Sequence, residues 1–405
     1  MVVHPIFRSL LNLPANVKSN SPSLPALLVV VCIALLSPNV YGQGVVVPVS
    51  EEVRVGVSLS GPQAGLATEV VSADLKRTGM ISPVGEGSGE YAASGEASDA
   101  GLNGQLANKR TGETVFSQTF SGSPRAAAHA FSDAITKAVT GLPGFASSKL
   151  AFISSATGSK ELYLADIDGY NGRQVTHDGT ISASPSLSRD GSKLVYTSYK
   201  SGYPDIYLID LHSGSRNRIV YFPGINSGPS FSPDGTQIAM TLSKDGNPEI
   251  YTLPLGGGAP VRITRTRGSE TTPSWSPTGD ELVYSSDDRG SPQLFISSST
   301  GISEMDHLVT GNSYCTKPDW SPDGKSIAFT TRLSGQFQIG VYNVALRTAE
   351  LITTSGGQDP DWTSDSRHLV YSNDGHLYLL DTVSHRSSPI EISVAGCGEP
   401  TVSRP

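Results

Sequence analysis

The chain has little cysteine, little charge and few long apolar segments. Only three of its 405 residues are cysteines, and Cys32 lies within the apolar N-terminal segment. The other two, Cys315 and Cys397, are too few for a disulfide framework, so an ordinary hydrophobic core must stabilise the fold. Beyond the N-terminus no apolar run reaches the ~18 residues that a membrane-spanning helix needs.

Charge of either sign is also sparse. Charged residues make up 16% of the chain, compared with about 25% in an average soluble domain. Acidic residues outnumber basic ones by 37 to 29, and the net charge is −8. Nucleic acids and anionic membranes select basic patches, so we expect neither as a partner.

The first 42 residues have the composition of an export signal. Their only charged residues are Arg8 and Lys18, and residues 24–36 form an apolar run. Small or apolar residues follow at 40–42, where a signal peptidase would cleave. We predict a signal peptide cleaved near Gly42. Cys32 lacks the small residues that precede a lipidated cysteine, so no lipid anchor is predicted.

A repeated unit occupies the C-terminal two thirds of the chain. Its fixed point is a proline before a Ser-rich turn, and the spacing between successive copies is 40 to 45 residues, at Pro185, Pro229, Pro273, Pro318, Pro360 and Pro400. Alternating apolar runs follow the first five prolines, as strands require. The turn before each run is Asp-Gly at 190–191, 234–235 and 323–324, as tight hairpins require, with degenerate copies at 278–279 and 365–366. This period with several strands per unit predicts a β-propeller.

The number of strands predicts how the ring closes. Residues 149–176 supply three strands of a unit but lack its first, whereas the chain ends on "EPTVSRP", which is a first strand alone. Combining the two gives six complete blades and leaves no open sheet edge. We therefore predict a mainly β protein, a six-bladed propeller closed by the C-terminal strand, over residues 145–405.

Residues 43–144 lack the repeat and predict a small α+β domain. A first helix is expected at 65–78, with Leu66, Val70, Ala73 and Leu75 on one face. Residues 85–104 are rich in Gly, Ser and Ala and predict a loop with weak strands.

A second helix is expected to begin after Ser123 and to end at Gly141. Its predicted apolar stripe comprises Ala127, Ala130, Phe131, Ala134, Ile135 and Ala138. His129, within this helix, is interpreted as an ordinary structural histidine.

The order of these segments resembles a known family. "EVRVGV", "ATEVVSADLKRTG" and "AHAFSDAI", then Gly-Leu-Pro-Gly and six "PxWSPDG" blades, are similar to the TolB family of periplasmic propellers of the Tol–Pal envelope system. The resemblance covers about residues 45–405. The region 85–104 departs from it, because it is shorter and poorer in apolar residues than in the family.

The resemblance implies binding rather than catalysis, in the periplasm and by a monomer. The implied partners are the peptidoglycan-associated lipoprotein, bound over the channel mouth, and TolA, bound through the N-terminal segment. The implied role is in envelope integrity and outer-membrane constriction during cell division. The segment for TolA begins with Glu51, Glu52, Val53, Arg54 and Val55. An alternating strand here suits pairing along a sheet edge, although an ordinary interior strand is an equally weighted alternative.

Loops that lead into the first strand of each blade would ring the channel mouth. Loops on a rigid scaffold commonly carry recognition residues, and Arg and Tyr are favoured interface anchors. The predicted docking residues are Asn226, Arg265, Arg267, Glu270, Tyr314, Lys317 and Glu399.

An exported propeller enzyme, peptidase-like or lyase-like, is the alternative function. The sequence has no Gly-x-Ser-x-Gly elbow and no paired His or Cys motif for a metal. "DIDGYNG", at 166–172, lacks the spacing of a Ca²⁺ loop and is interpreted as a blade turn. We expect no catalytic residues and no cofactor, with Ca²⁺ in the channel left open.

Overall fold

The structure, a computed structural model, describes residues 52–301 and 304–405. The predicted signal peptide and Glu51 lie outside these residues. The N-terminal part is a five-stranded sheet in the order β2-β1-β3-β4-β5. Strand β1 pairs in parallel with β2 and with β3, and the remaining pairs are antiparallel. Its elements are β1 Val53–Ser60, α1 Ala64–Arg77, β2 Ile81–Val84, β3 Tyr91–Ser98, β4 Gly101–Asn108, β5 Thr114–Ser121 and α2 Pro124–Thr140.

The second helix begins and ends where the sequence predicts. The Ser123 hydroxyl accepts a hydrogen bond from the Ala126 N–H, Pro124 occupies the first turn, and Gly141 ends the helix at φ 78°. Phe131 and Ile135 are fully buried against the sheet. The rest of the predicted stripe is less uniform, because Ala138 is exposed.

The buried face of the first helix differs from the prediction. Leu66 and Ala73 are exposed, and the buried positions are Ala67, Val70, Val71, Asp74 and Leu75. The polar Asp74 lies on this face because His129 of α2 and Arg77 bind its two carboxylate oxygens. Because its charge is paired, Asp74 can be buried, although the apolar pattern predicts a different buried face for this helix.

The prediction of a loop with weak strands over 85–104 is wrong. Strands β3 and β4 are eight residues each and lie in the interior of the sheet. Their small residues are required by close approach rather than by flexibility. A Cβ at Gly104 would lie 2.6 Å from the Phe131 ring, and one at Gly95 would lie 2.3 Å from the Asn103 carbonyl oxygen.

The remaining described chain forms six four-stranded antiparallel sheets, as predicted. Each blade runs outward from an innermost strand. Blade 1 contains β29 Cys397–Val402, β6 Lys149–Ser154, β7 Glu161–Asp166 and β8 Arg173–Gln174; blade 2 contains β9 Ser182–Leu187, β10 Lys193–Ser198, β11 Asp205–Asp210 and β12 Arg216–Val220; blade 3 contains β13 Asn226–Phe231, β14 Gln237–Leu242, β15 Glu249–Pro254 and β16 Val261–Arg262. Blade 4 contains β17 Glu270–Trp275, β18 Glu281–Ser286, β19 Gln293–Ser298 and β20 Asp306–Leu308; blade 5 contains β21 Cys315–Trp320, β22 Ser326–Leu333, β23 Gln336–Asn343 and β24 Thr348–Leu351; blade 6 contains β25 Gln358–Trp362, β26 His368–Asn373, β27 His376–Asp381 and β28 Arg386–Pro389.

The Asp-Gly turns between the first two strands have the predicted local role. In blade 2, Asp190 accepts a hydrogen bond from the Ser192 N–H, and Gly191 has φ 68°. Gly235 and Gly324 adopt the same left-handed conformation in blades 3 and 5. These aspartates therefore stabilise hairpins, and nothing about their placement suggests catalysis.

The C-terminal strand closes the ring. Strand β29 pairs with β6 from Cys397 opposite Ser154 to Val402 opposite Leu150. Adjacent blades bury shared apolar cores, and Val402 belongs to the core between blades 6 and 1. Cys315 and Cys397 are both buried and both free, as expected. Among the described residues, the helices are too short or too polar to cross a membrane.

The closure predicts a sharp dependence of stability on the last residues. A chain stopped after Gly398 loses Pro400, Thr401 and Val402, all of which are buried. Burial of one valine side chain stabilises a fold by about 1.5–3 kcal/mol, and blade 1 also loses its innermost strand. We expect a clearly lower Tm by calorimetry. Deleting Pro405 alone, which is exposed, is the matched control and should leave Tm unchanged; equal Tm values for both truncations would contradict the role of β29.

Candidate functional site

The repeat proline shapes the channel in every blade. The residue before each proline has a positive φ of 47° to 57°. This residue and the proline together oppose one residue of the second strand, so each innermost strand has a bulge. The six left-handed residues surround a cavity of about 110 Å³ at one end of the channel: Ser184, Gly228, Thr272, Lys317, Asp359 and Glu399. We call this end the mouth, because the loops that lead into the innermost strands lie there.

An ion cluster occupies the mouth end of the channel. The Lys317 Nζ lies 3.4 Å from Glu399 Oε2 and 3.8 Å from Asp359 Oδ1. Burial disfavours the lysine charge, but the two carboxylates outweigh it and raise the pKa of Lys317. Burial likewise disfavours the Glu399 carboxylate, and Lys317 outweighs it and lowers the pKa of Glu399. The two predicted docking residues thus bind each other inside the channel.

A second ion cluster occupies the opposite end. The Arg404 guanidinium lies 2.5 Å from Asp319 Oδ2 and 3.2 Å from Asp361 Oδ1. Its Nε also donates to the Trp362 carbonyl oxygen. Burial and the neighbouring Asp319 carboxylate raise the pKa of Asp361 to about 7, although Arg404 acts in the opposite direction. The last residues of the chain therefore place one positive charge beside two carboxyl groups, in addition to closing the ring.

The channel carboxylates bear on the question of a bound Ca²⁺. Asp359 and Glu399 face Lys317, and Asp319 and Asp361 face Arg404. A divalent cation would have to displace one of these side chains or lie beside its charge. A Ca²⁺ ion in the channel would therefore compete with Lys317 or Arg404 for these carboxylates.

Three predicted docking residues lie at the rim of the mouth. Arg265 and Arg267 are exposed. Tyr314 is half-buried, and its ring centre lies 6.2 Å from that of Phe337. Their placement is compatible with docking, which stays a prediction.

Two other predicted docking residues are internal. Asn226 is fully buried, and its amide donates to the carbonyl oxygens of Phe222 and Pro204. Glu270 is also fully buried and accepts hydrogen bonds from Thr266 and Ser286. Neither side chain is accessible to a partner. Both lie at the first position of an innermost strand, where they fix the preceding mouth loop, and the sequence cannot distinguish such a loop-fixing polar residue from an exposed one.

Glu270 faces a second buried acid, Glu249, across the same loop. Glu249 Oε1 pairs with Arg262 at 2.7 Å, whereas its Oε2 and that of Glu270 have no hydrogen-bond partner in the described part of the chain. Burial raises the pKa of Glu270 to about 7, and Glu249 adds to that increase. The protonated form of Glu270 is therefore favoured up to about neutral pH.

The mouth face also carries an apolar patch that the sequence analysis did not predict. It consists of exposed side chains on three loops of blades 1 to 3, at the same end of strands β9 to β13: Ile181, Tyr199, Tyr203, Tyr221, Phe222 and Ile225. Tyr203 and Tyr221 are 74% and 62% exposed. The Arg218 guanidinium stacks on Tyr221 at 4.6 Å. The available signal was the run "YFPGI", which is apolar yet lies between strands. We call these six residues the aromatic patch.

The predicted N-terminal binding segment is not a sheet edge. Val53–Ser60 is an interior strand, with β2 on one side and β3 on the other. Arg54 and Val55 pair with Ser82 and Pro83, and Val55 also pairs with Tyr91. Strand addition at Val53, Arg54 or Val55 is therefore blocked in this conformation. Glu52 is exposed and precedes the strand.

Comparison with known proteins gives a consistent match. The family model described as the TolB beta propeller domain matches residues 136–394. A crystal structure of TolB from Acinetobacter baumannii aligns with a TM-score of 0.77 at 25% identity, covering 88% of this chain and 98% of that one.

Curated relatives match over shorter segments. A protein TolB homolog from Chlorobium chlorochromatii is 37% identical over 111 residues, which is 26% of this chain and 25% of the relative. A Tol-Pal system protein TolB from Geobacter metallireducens is 37% identical over 90 residues, 22% of this chain and 21% of the relative. The matched segments thus span a quarter or less of these relatives.

The raised pKa of Glu270 predicts how pH changes the free energy of unfolding. The pKa of Glu270 rises from 4.5 to about 7 on folding, so its contribution is fully present below pH ~4.5 and is lost as pH rises through ~7. Glu270→Gln keeps a donor facing Glu249 without the titrating proton. At pH 8 it should raise the free energy of unfolding by an amount on the order of 2 kcal/mol, measured by urea denaturation.

The same substitution should change little at pH 4.5, where the wild-type carboxyl is largely protonated. Glu281→Gln, at an exposed glutamate of β18, is the matched control and should have no effect at either pH. A Glu270→Gln chain less stable than wild type at pH 8 would contradict the raised pKa of Glu270.

Proposed function

The chain belongs to the TolB β-propeller family, and we propose that it is a periplasmic binding scaffold of the Tol–Pal system rather than an enzyme. In this role its mouth face binds a peptidoglycan-associated lipoprotein, and its N-terminal segment binds TolA. The two contacts would serve envelope integrity and outer-membrane constriction at division. The names of the relatives support the assignment to the Tol–Pal system. The exposed side chains of the mouth face support the proposal that a partner docks there.

The aromatic patch is the observation that carries the proposal. Exposed tyrosines supply a large contact area at little entropic cost, and they are typical anchors of protein interfaces. Here Tyr203, Tyr221 and their neighbours lie on loops fixed by interior hydrogen bonds, such as those of Asn226. A patch that is held rigid before binding loses little freedom when a partner docks.

Basic side chains flank the patch. Arg218 stacks on Tyr221, and the Lys244 Nζ lies 5.7 Å from the centre of the Phe222 ring. Arg265 and Arg267 lie on the next mouth loop and are exposed. An apolar centre with a cationic rim favours a partner segment whose apolar side chains are bordered by carboxylates.

The alternative of a channel enzyme rests on Asp361. A carboxyl with a pKa of about 7 is suited to general acid–base catalysis. However, burial and the Asp319 carboxylate account for the raised pKa of Asp361, and its Oδ1 is already bound by Arg404 and by the Val402 N–H. We therefore favour binding over catalysis.

The lipoprotein contact can be tested with the soluble domain of a peptidoglycan-associated lipoprotein. Tyr203→Ala combined with Tyr221→Ala removes two exposed rings without opening a core. We expect the Kd measured by calorimetry to rise about tenfold or more, because each interface anchor contributes at least about 1–2 kcal/mol.

Leu346→Ala is the control for that experiment. Leu346 is 72% exposed in the turn between the two outer strands of blade 5, at the end of the propeller away from the mouth. Its removal should leave the Kd unchanged. Binding that survives the double substitution, or that is weakened equally by Leu346→Ala, would exclude the aromatic patch as the docking surface.

The TolA contact can be tested separately. Because β1 has no free edge, we expect TolA to engage the residues that precede Val53, including Glu51 and Glu52, or a released β1. Deleting residues 43–52 from the mature chain should abolish capture of TolA on beads while the lipoprotein Kd stays unchanged. Retained TolA capture, or loss of both partners together, would argue against a separate N-terminal site.

A further inference from the structure

Helix α2 meets blade 1 at a group of three potential metal ligands. One ligand atom each from His129, Asp166 and Asp168 lies within 4.8 Å of the other two. His129 belongs to α2, Asp166 ends β7, and Asp168 lies in the turn that follows. The proposed partner contacts do not involve these residues.

His129 is oriented as a metal ligand would be. Its Nδ1 lies 2.7 Å from Asp74 Oδ2, so the tautomer that donates from Nδ1 to this carboxylate has the lone pair of Nε2 free for a metal. Nε2 points toward Asp168, 3.9 Å from its Oδ2. The residue is 4% exposed, yet within residues 52–301 and 304–405 no hydrogen-bond partner reaches Nε2. A buried ring nitrogen without a partner needs an explanation.

A second histidine shows that orientation alone does not make a site. His368 is also buried, with Nδ1 2.6 Å from Asp365 and with Nε2 unpartnered in the described chain. Its ring packs on Phe145, at 4.9 Å between ring centres, and within the described residues it belongs to no group of three potential ligands. Of the histidines that the structure describes, only His129 combines an unpartnered nitrogen with two such carboxylates.

Both carboxylates retain capacity for a cation. Asp166 binds Lys149 through Oδ1, at 2.5 Å, and Asn171 through Oδ2, at 2.8 Å. Asp168 binds Arg125 through Oδ2 and accepts the Tyr170 N–H through Oδ1. Each carboxylate has about four lone-pair positions, so one oxygen of each can take a metal while these bonds persist or rearrange.

Arg125 is the group that a metal would displace. Its Nε has no hydrogen-bond partner in the described structure, so its ion pair with Asp168 is incomplete. The guanidinium also stacks on the exposed Tyr170 ring at 4.1 Å while it binds Asp168.

We propose that His129 Nε2, Asp166 and Asp168 form a Zn²⁺ site that ties the N-terminal helices to blade 1. One imidazole and two carboxylates are a nitrogen and oxygen set that Zn²⁺ accepts, with water in the fourth position. Asp74 acts as a positioning residue, holding His129 through Nδ1. The site differs from the channel in place and in ligands.

The test is calorimetric titration of ZnCl₂ into the full mature chain after removal of metals with a chelator. We expect one equivalent to bind and the Tm to rise, since a ligand of the folded state stabilises it. Asp168→Asn, which preserves shape, should weaken Zn²⁺ binding about tenfold or more, as should His129→Gln, and Asp74→Asn should weaken it about 10–100-fold.

His368→Gln is the matched control and should leave Zn²⁺ affinity within about twofold of wild type, consistent with a residue outside the site. Co²⁺ as a spectroscopic substitute should give the visible absorption of a nitrogen and oxygen site, and Asp168→Asn should abolish it. If the wild-type chain does not bind Zn²⁺ stoichiometrically, the proposal is wrong and His129 Nε2 is not a metal ligand. Binding that persists in Asp168→Asn and His129→Gln would place the metal elsewhere and overturn it equally.

Discussion

Closure of the ring by strand β29 is the interaction on which the rest of the structure depends. A propeller sheet has an inner edge in every blade, and blade 1 lacks its innermost strand until the C-terminus supplies it. With β29 in place, the core between blades 6 and 1 is complete and Arg404 reaches the carboxylates of Asp319 and Asp361. The same few residues thus determine ring closure, channel charge and the position of Glu399 at the mouth.

The closed ring explains why exposed side chains and buried polar side chains both occur in the mouth loops. Each loop must be fixed from beneath, and buried polar groups such as Asn226 and Glu270 do this. The side chains that remain free to contact a partner are those the loop turns outward, notably Tyr203, Tyr221 and Arg265. A rigid ring of loops with few free groups suits binding to another protein more than it suits chemistry.

The N-terminal sheet shows where a prediction from sequence failed. Residues 85–104 have the composition of a loop, yet Gly95 and Gly104 are interior strand positions where a neighbouring backbone or the Phe131 ring leaves no room for a side chain. The predicted apolar face of α1 omits Asp74, which is buried and bound by His129 and Arg77. Both errors arise because contacts between distant segments override local composition.

The sequence by itself determined the architecture: six blades, closure of blade 1 by a strand from the C-terminus, the caps of helix α2 and the loops around the mouth. Those features follow from periodicity and turn chemistry, which are local. Only the tertiary structure decided which loop residues are exposed, that Lys317 and Glu399 bind each other, that β1 is an interior strand, and that His129 faces Asp168. All of these features depend on which side chains from distant segments come into contact. The repeat gives every blade the same backbone register, but it does not specify which side chains of adjacent blades meet.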